Sequence, residues 1–185
     1  MSNPEPRRSL SRRRLFAGSA AAGCAMITAA GRSALAALPA RQLSFYNTHT
    51  EETVTAVYWD GGRLLPDGQA EIDYILRDHR TGEMHGIDPN LLDLVHRLRL
   101  AMDYQSPVHV ISGYRSPKTN AMLAAQGNGV AKNSYHVRGM AIDLRLPGRA
   151  LDDVRRAALD LARGGVGFYP ESDFVHVDTG PVRTW

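Results

Sequence analysis

Cysteine is nearly absent from this 185-residue chain, which has one, Cys24. It lies in a leading segment that reads as an export signal, so the mature chain is expected to carry no thiol. That excludes a disulfide framework and a cysteine nucleophile. Long hydrophobic runs are equally scarce. The Ala-rich stretch from Ala17 to about Ala30 is short and broken by Gly18, Gly23 and Thr28, which argues against a membrane anchor. It follows the basic run Ser11-Arg12-Arg13-Arg14-Leu15-Phe16 and leads to the small-residue pattern Ala34-Leu35-Ala36. Residues 1–36 therefore read as a secretory signal of the twin-arginine type, cleaved near Ala36. Ala21-Ala22-Gly23-Cys24 matches a lipoprotein processing site poorly, because its first position is Ala.

A basic surplus is also missing once the signal is set aside. The full chain has a formal charge of +3, but residues 1–36 hold six arginines and one acid (Glu5), which leaves −2 for the remainder. Nothing in that balance favours nucleic-acid binding. There is no internal repeat and no low-complexity segment beyond the signal. With 43% hydrophobic residues, residues 37–185 suit one globular domain with its own core.

The pattern of elements is mixed. Leu43–Tyr46 and Val54–Trp59 are rich in β-branched and aromatic residues and predict a hairpin. A helix is expected from about Gln69 to Arg77, followed by a polar connection from Asp78 to Gly86. Asp88 and Pro89 open a second helix, with Leu91, Leu92, Val95, Leu98 and Met102 at helical spacing. Val108–Ile111 reads as a strand, Pro117–Ala125 as a helix broken by Gly127-Asn128-Gly129, and Leu151–Ala162 as another helix. Val166–Phe168 and Phe174–Asp178 are the last strands. Strands and helices do not alternate strictly, so the expected class is α+β rather than a doubly wound sheet.

The stretch Ser134-Tyr135-His136-Val137-Arg138-Gly139-Met140-Ala141-Ile142-Asp143 carries the chemistry. Fully extended, its seven-residue span would part His136 from Asp143 by about 23 Å. A bend must intervene if they share one metal ion, and Gly139 is where a bend costs least. Beyond it, Met140, Ile142, Leu144 and Leu146 alternate with Ala141, Asp143 and Arg145, which places Asp143 on the open face of a strand. A catalytic zinc needs three protein ligands and one open position. The third candidate is His176, opposite Val175 and Val177 in the last strand, with Phe174 and Asp178 on its side. Taken singly, either histidine reads as an ordinary polar residue. His49, His79, His85, His96 and His109 read as structural or solvated.

These motifs resemble a known signature. Ser134-x-His136-x-x-Gly139-x-Ala141-x-Asp143, with Asp173-Phe174-Val175-His176, is similar to the zinc D-Ala-D-Ala peptidases, which include carboxypeptidases, dipeptidases and murein endopeptidases. Ser112-Gly113-Tyr114-Arg115-Ser116-Pro117, Gly164-Gly165-Val166-Gly167 and the tail from Phe174 to Trp185 look most like the periplasmic murein L,D-endopeptidases. The likeness runs from about Leu43 to the C-terminus. It implies a compact hedgehog/D-Ala-D-Ala peptidase-like domain, a central antiparallel sheet flanked by helices. It further implies zinc held by His136, Asp143 and His176, with Asp173 as acid/base residue, where relatives carry Glu or His. Arg115 is implied for the oxyanion or a substrate carboxylate, Ser134 and Tyr135 for the substrate groove, and Asp178 for orienting a ligand histidine. The implied substrate is the peptidoglycan stem peptide, met in the periplasm with no membrane span after signal removal. Endopeptidase, D-Ala-D-Ala carboxypeptidase and non-catalytic peptidoglycan-binding readings all stay open at this point.

Overall fold

Eight strands form one sheet in the computed structural model, which describes residues 39–126, 131 and 133–185. The expected leader (residues 1–36) and the helix-breaking Gly127-Asn128-Gly129 lie outside the described residues. The elements run β1 (Arg41–Asn47), β2 (Thr53–Asp60), β3 (Arg63–Leu64), α1 (Pro66–Ile75), α2 (Pro89–Ala101), β4 (Val108–Ser112) and α3 (Pro117–Ala125). A 3₁₀ turn over Tyr135–Arg138 precedes β5 (Ala141–Arg145). Then come α4 (Leu151–Asp160), β6 (Gly165–Tyr169), a second 3₁₀ turn (Pro170–Ser172), β7 (Phe174–Asp178) and β8 (Arg183–Thr184). Across the sheet the order is β3-β2-β1-β4-β5-β7-β6-β8. Only the β1–β4 and β6–β8 pairings are parallel. The expected α+β class and mostly antiparallel sheet are therefore what is found. The two-residue edge strands β3 and β8 were not anticipated, since so short a run carries no alternation.

Alternation along the strands divides the sheet into two faces. Leu43 and Phe45 of β1, Val108 and Val110 of β4, Ile142 and Leu144 of β5, and Val175 and Val177 of β7 are buried in one hydrophobic core. Helix α1 covers β2, α2 lies against β1 and α4, and α4 lies on β6 and β7. Each fully buried aliphatic side chain contributes about 1.5–3 kcal/mol by leaving water.

Helix α2 begins as its sequence predicts. The Asp88 carboxylate accepts from the Asn90 backbone N–H at 2.9 Å, and Pro89 occupies the first turn, where no N–H is needed. Asp88 also joins distant parts of the chain. Its backbone N–H donates to Gly139 O (3.0 Å), and its carboxylate accepts from the Thr179 hydroxyl (2.8 Å). Along α2, Leu98 is completely buried while Leu100 is 62% exposed.

The polar connection after α1 is held by Asp78. Its carboxylate accepts from the backbone N–H groups of Arg80 and Ser116, both at 2.9 Å. Burial pushes the Asp78 carboxyl up, but the hydrogen bonds from Thr119, Ser116 and Arg80 outweigh it and hold the group well below the usual carboxylate range. Ser116 in turn caps α3, accepting from Thr119 N at 3.2 Å. One buried carboxylate thus fixes the loop that carries Arg115.

Two stability measurements check this account. Leu98→Ala should cost about 2–5 kcal/mol in urea unfolding, against less than about 0.5 kcal/mol for Leu100→Ala; similar losses would overturn the face assignment. A depressed folded pKa means that the contribution of Asp78 is present above the unfolded carboxylate value of about 3.9 and is lost as pH falls below it. Asp78→Asn should therefore cost about 1.5–3 kcal/mol at pH 7 and flatten the acid limb of the stability curve. An unchanged acid limb would show that Asp78 does not contribute to it.

Candidate metal centre

The site rests on a row of residues that crosses four neighbouring strands. Ser112 of β4 pairs with Asp143 of β5, Asp143 with His176 of β7, and His176 with Gly167 of β6. Simple alternation would put Ser112 on the same face as Val110, in the core. A register shift between them, with Val110 opposite Leu144 and Ser112 opposite Asp143, turns Ser112 to the site face instead. That irregularity has no signature in the sequence, so Ser112 was not singled out as a site residue.

His136 arrives from outside the sheet on the Tyr135–Arg138 turn. Ser134 caps that turn, its hydroxyl accepting from the His136 backbone N–H at 3.3 Å. Gly139 ends it with φ of 65°, a left-handed conformation that only glycine adopts freely. A Cβ at Gly139 would also lie 2.5 Å from Gly86 O. The expected bend is therefore present and sterically committed to glycine. Asp143, expected on an open face, is instead 3% exposed, because the turn and Arg115 close over it.

The three inward-facing atoms converge. His136 Nε2 lies 3.2 Å from Asp143 Oδ1 and 3.2 Å from His176 Nδ1, and His176 Nδ1 lies 2.8 Å from the same oxygen. Tetrahedral zinc, with bonds of about 2.0–2.1 Å, separates its ligand atoms by about 3.3 Å. The outer atoms of all three residues are tied down. His136 Nδ1 donates to Gly113 O at 2.7 Å, and His176 Nε2 donates to Asp178 Oδ2 at 2.9 Å. Asp143 Oδ2 accepts from Arg115 Nη2, while Arg115 Nε donates to Ser112 Oγ at 2.8 Å. With the outer nitrogens protonated, two neutral rings present only lone pairs inward, beside a carboxylate oxygen that also only accepts. Three acceptors facing one another need a cation between them. The residues present fit a metal ion.

Electrostatics agree with that reading. Burial pushes the Asp143 carboxyl up, but His136, His176 and Arg115 hold it well below the usual range. Burial pushes His136 down, against the pull of Asp143. For His176 burial also acts downward, but Asp143 and Asp178 outweigh it and raise the ring. A metal ion would take the place of the proton those carboxylates attract. Asp178 is fully buried and accepts from Gly165 N (3.1 Å), Gly180 N (2.8 Å) and both guanidinium ends of Arg183 (3.0 and 2.7 Å). Such outer partners orient a ligand imidazole and strengthen its hold on the metal.

The centre forms part of the floor of a cleft of about 350 Å³, whose lining also includes Arg115, Ser134, Tyr135, Tyr169, Phe174, Arg183 and Trp185. Of the sequence-predicted residues, Arg115, Ser134, Tyr135, His136, Asp143 and His176 come together here. Asp173 does not line the cleft. Its exposed carboxylate accepts from Arg145 at 2.8 Å, beside a separate depression that also includes His109. Sequence reasoning gave no role to Arg183 or Trp185, which reach the cleft only because β8 pairs with β6. None of the other histidines lines the cleft. His49 stacks on His79 with centroids 3.8 Å apart, and His85 stacks on Tyr114 at 5.0 Å.

Comparison with known proteins gives the same direction. Residues 35–185 match the family described as "Peptidoglycan L,D-endopeptidase MepK". This chain belongs to that family. It is 42% identical over 175 residues to the Escherichia coli K12 protein named "Peptidoglycan L,D-endopeptidase MepK", covering 94% of this chain and 96% of the relative. A Shigella flexneri protein of that name matches equally. The Haemophilus influenzae protein named "Probable peptidoglycan L,D-endopeptidase MepK" is 44% identical over 146 residues, 78% of each chain. The matched range covers everything the structure describes, including His136, Asp143 and His176.

Metal content tests the centre directly. His136→Ala and His176→Ala, purified after zinc loading, should each fall from about one bound equivalent to almost none by elemental analysis. Asp178→Asn should keep the fold and weaken metal affinity about 10–100-fold. A full equivalent in either histidine variant removes that residue from the ligand set.

Proposed function

We propose that this chain is an exported zinc peptidase that hydrolyses amide bonds in peptidoglycan peptide cross-links, acting as an L,D-endopeptidase. The observation that carries the reading is the convergence of His136, Asp143 and His176 at the floor of an open cleft, in a chain of this peptidase family. The names of the relatives favour the endopeptidase reading over carboxypeptidase action. A periplasmic location, reached by a twin-arginine signal over residues 1–36, belongs to the same proposal. Among the described residues no helix is long and apolar enough to cross a membrane.

His136, Asp143 and His176 would hold the zinc, which when bound polarises the scissile carbonyl and makes water acidic enough to attack it near neutral pH. Arg115 acts through Asp143, pinning the outer oxygen so that the inner one keeps its aim, and its charge lies beside the negative charge that builds on the attacked carbonyl. Ser134 positions His136 through the capped turn, and Tyr135 and Asn133 line the groove beside it. Asp143 is the only carboxylate among the described lining residues, and its oxygens are already engaged. A separate proton carrier is needed. Asp173 adjoins Phe174 of the cleft wall, and we assign the acid/base role to it. To serve, its carboxylate must leave Arg145 and turn past Phe174. The pair is exposed, and such pairs are worth about 0–1 kcal/mol, so the exchange costs little.

The zinc-loaded mature domain, incubated with purified cross-linked muropeptides, should convert dimers to monomers by mass spectrometry and lose that activity with a chelator. Binding without cleavage at every zinc level would favour the non-catalytic reading instead. Asp173→Ala should keep its zinc while turnover falls about 10²–10⁴-fold. Wild-type turnover in that variant would move the proton transfer to another group.

A further inference from the structure

Glycine at 167 leaves a gap in the sheet beside a metal-facing histidine, and a tryptophan fills it. Gly167 is the strand partner of His176. A Cβ at Gly167 would stand 2.8–2.9 Å from Cε2, Cζ2 and Nε1 of the Trp185 ring, closer than real Cβ atoms approach. Backbone hydrogen bonds set the ring there, with Trp185 N donating to Val166 O (3.3 Å) and Phe168 N donating to Trp185 O (3.1 Å). The indole Nε1 donates to the Tyr169 hydroxyl at 2.8 Å, and Tyr169 stacks on Phe174 with centroids 4.6 Å apart. The Trp185 ring centroid lies 5.3 Å from that of His176. Three aromatic side chains thus form a continuous wall that begins at a metal-facing residue.

That wall is not needed to cover the core. Trp185 remains 49% exposed and Tyr169 37%, although each is joined to the other and held in place. Large aromatic surface left in water at the edge of a cleft marks a binding site. The chemistry of the bound group follows from what surrounds it. Arg115 is engaged by Asp143, and Arg183 by both oxygens of Asp178. Both guanidiniums of the described lining already hold a buried carboxylate, and that of Arg183 also lies over the Trp185 ring, 4.9 Å from its centroid, so what the wall leaves to a ligand is the exposed aromatic surface of Trp185 and Tyr169.

We infer that Trp185 is a specificity-determining side chain, whose ring takes the aliphatic part of the substrate residue flanking the scissile amide. The inference rests on the peptidase reading above. The closeness of the ring to His176 limits the contact to the residue on one side of the cleaved bond. Gly167 has the supporting role of keeping the space in which the ring sits.

The test uses a soluble cross-linked peptide dimer with the zinc-loaded protein. Trp185→Ala should lower kcat/KM about 10–100-fold, with the loss carried by KM, at one bound zinc per chain. Trp185→Phe should recover most of it. Gly167→Ala, which keeps the tryptophan but displaces it, should change KM in the same direction as Trp185→Ala. The chain has two tryptophans, Trp59 and Trp185, so Trp59→Phe leaves Trp185 as the sole reporter. Its emission should change saturably when the protein is titrated with a dimer whose scissile amide is reduced to an amine. A Trp185→Ala variant within twofold of wild type, one that loses zinc, or unchanged emission at saturating dimer would each overturn the assignment. If the wild type cleaves no muropeptide at any zinc level, the peptidase reading fails. The emission titration needs no turnover and still decides whether Trp185 meets the ligand.

Discussion

A carboxylate buried in the middle of a sheet is the constraint on which the rest of this structure depends. Asp143 sits on a central strand with almost no contact with water, and an unpaired charge there would be strongly destabilising. Every neighbour answers that cost. Arg115 takes the outer oxygen, and two imidazoles face the inner one. The partners are themselves fixed, Arg115 by Ser112 and His136 by the carbonyl of Gly113. The loop between β4 and α3 therefore supplies two separate restraints on the same centre. Asp78, bound to Ser116 N, holds that loop from behind.

The opposite side of the centre is organised by a second buried acid. Asp178 shares its strand face with His176, accepts that ring's outer proton, and draws together Gly165, Gly180 and Arg183. Its charge is compensated by Arg183, which comes from the edge strand. Closing the tail onto the sheet thus completes the support of His176 and sets an aromatic wall beside it. The aromatic wall and the support of His176 are built by the same few residues.

Much of this was legible in the residue order. The hairpin, the Asp88–Pro89 start of α2, the limits of α3 and β7, and the bend at Gly139 follow from local rules of capping, alternation and backbone freedom. The pairing of His136 and Asp143 could be suspected from the bend, strand alternation offered His176 as the third candidate, and the resemblance to a peptidase signature joined the three. The position of Asp173 was not legible. Its left-handed φ of 53° and the proximity of Arg145 turn its carboxylate away from the cleft, and neither can be read three residues before a histidine. Ser112 was missed because a register irregularity reverses its face. Arg183 and Trp185 were missed because their partners are distant strands.

By itself the sequence determined the longer elements, the class of fold and the chemical kinds of group available for a metal, because these depend on neighbours a few positions apart. Only the tertiary structure decided which nitrogen of each histidine faces inward, which oxygen of Asp143 faces those nitrogens, and which side chains wall the cleft. Those choices are made by hydrogen bonds between residues tens of positions apart. They exist only once the sheet has put Ser112, Asp143, His176 and Gly167 in one row.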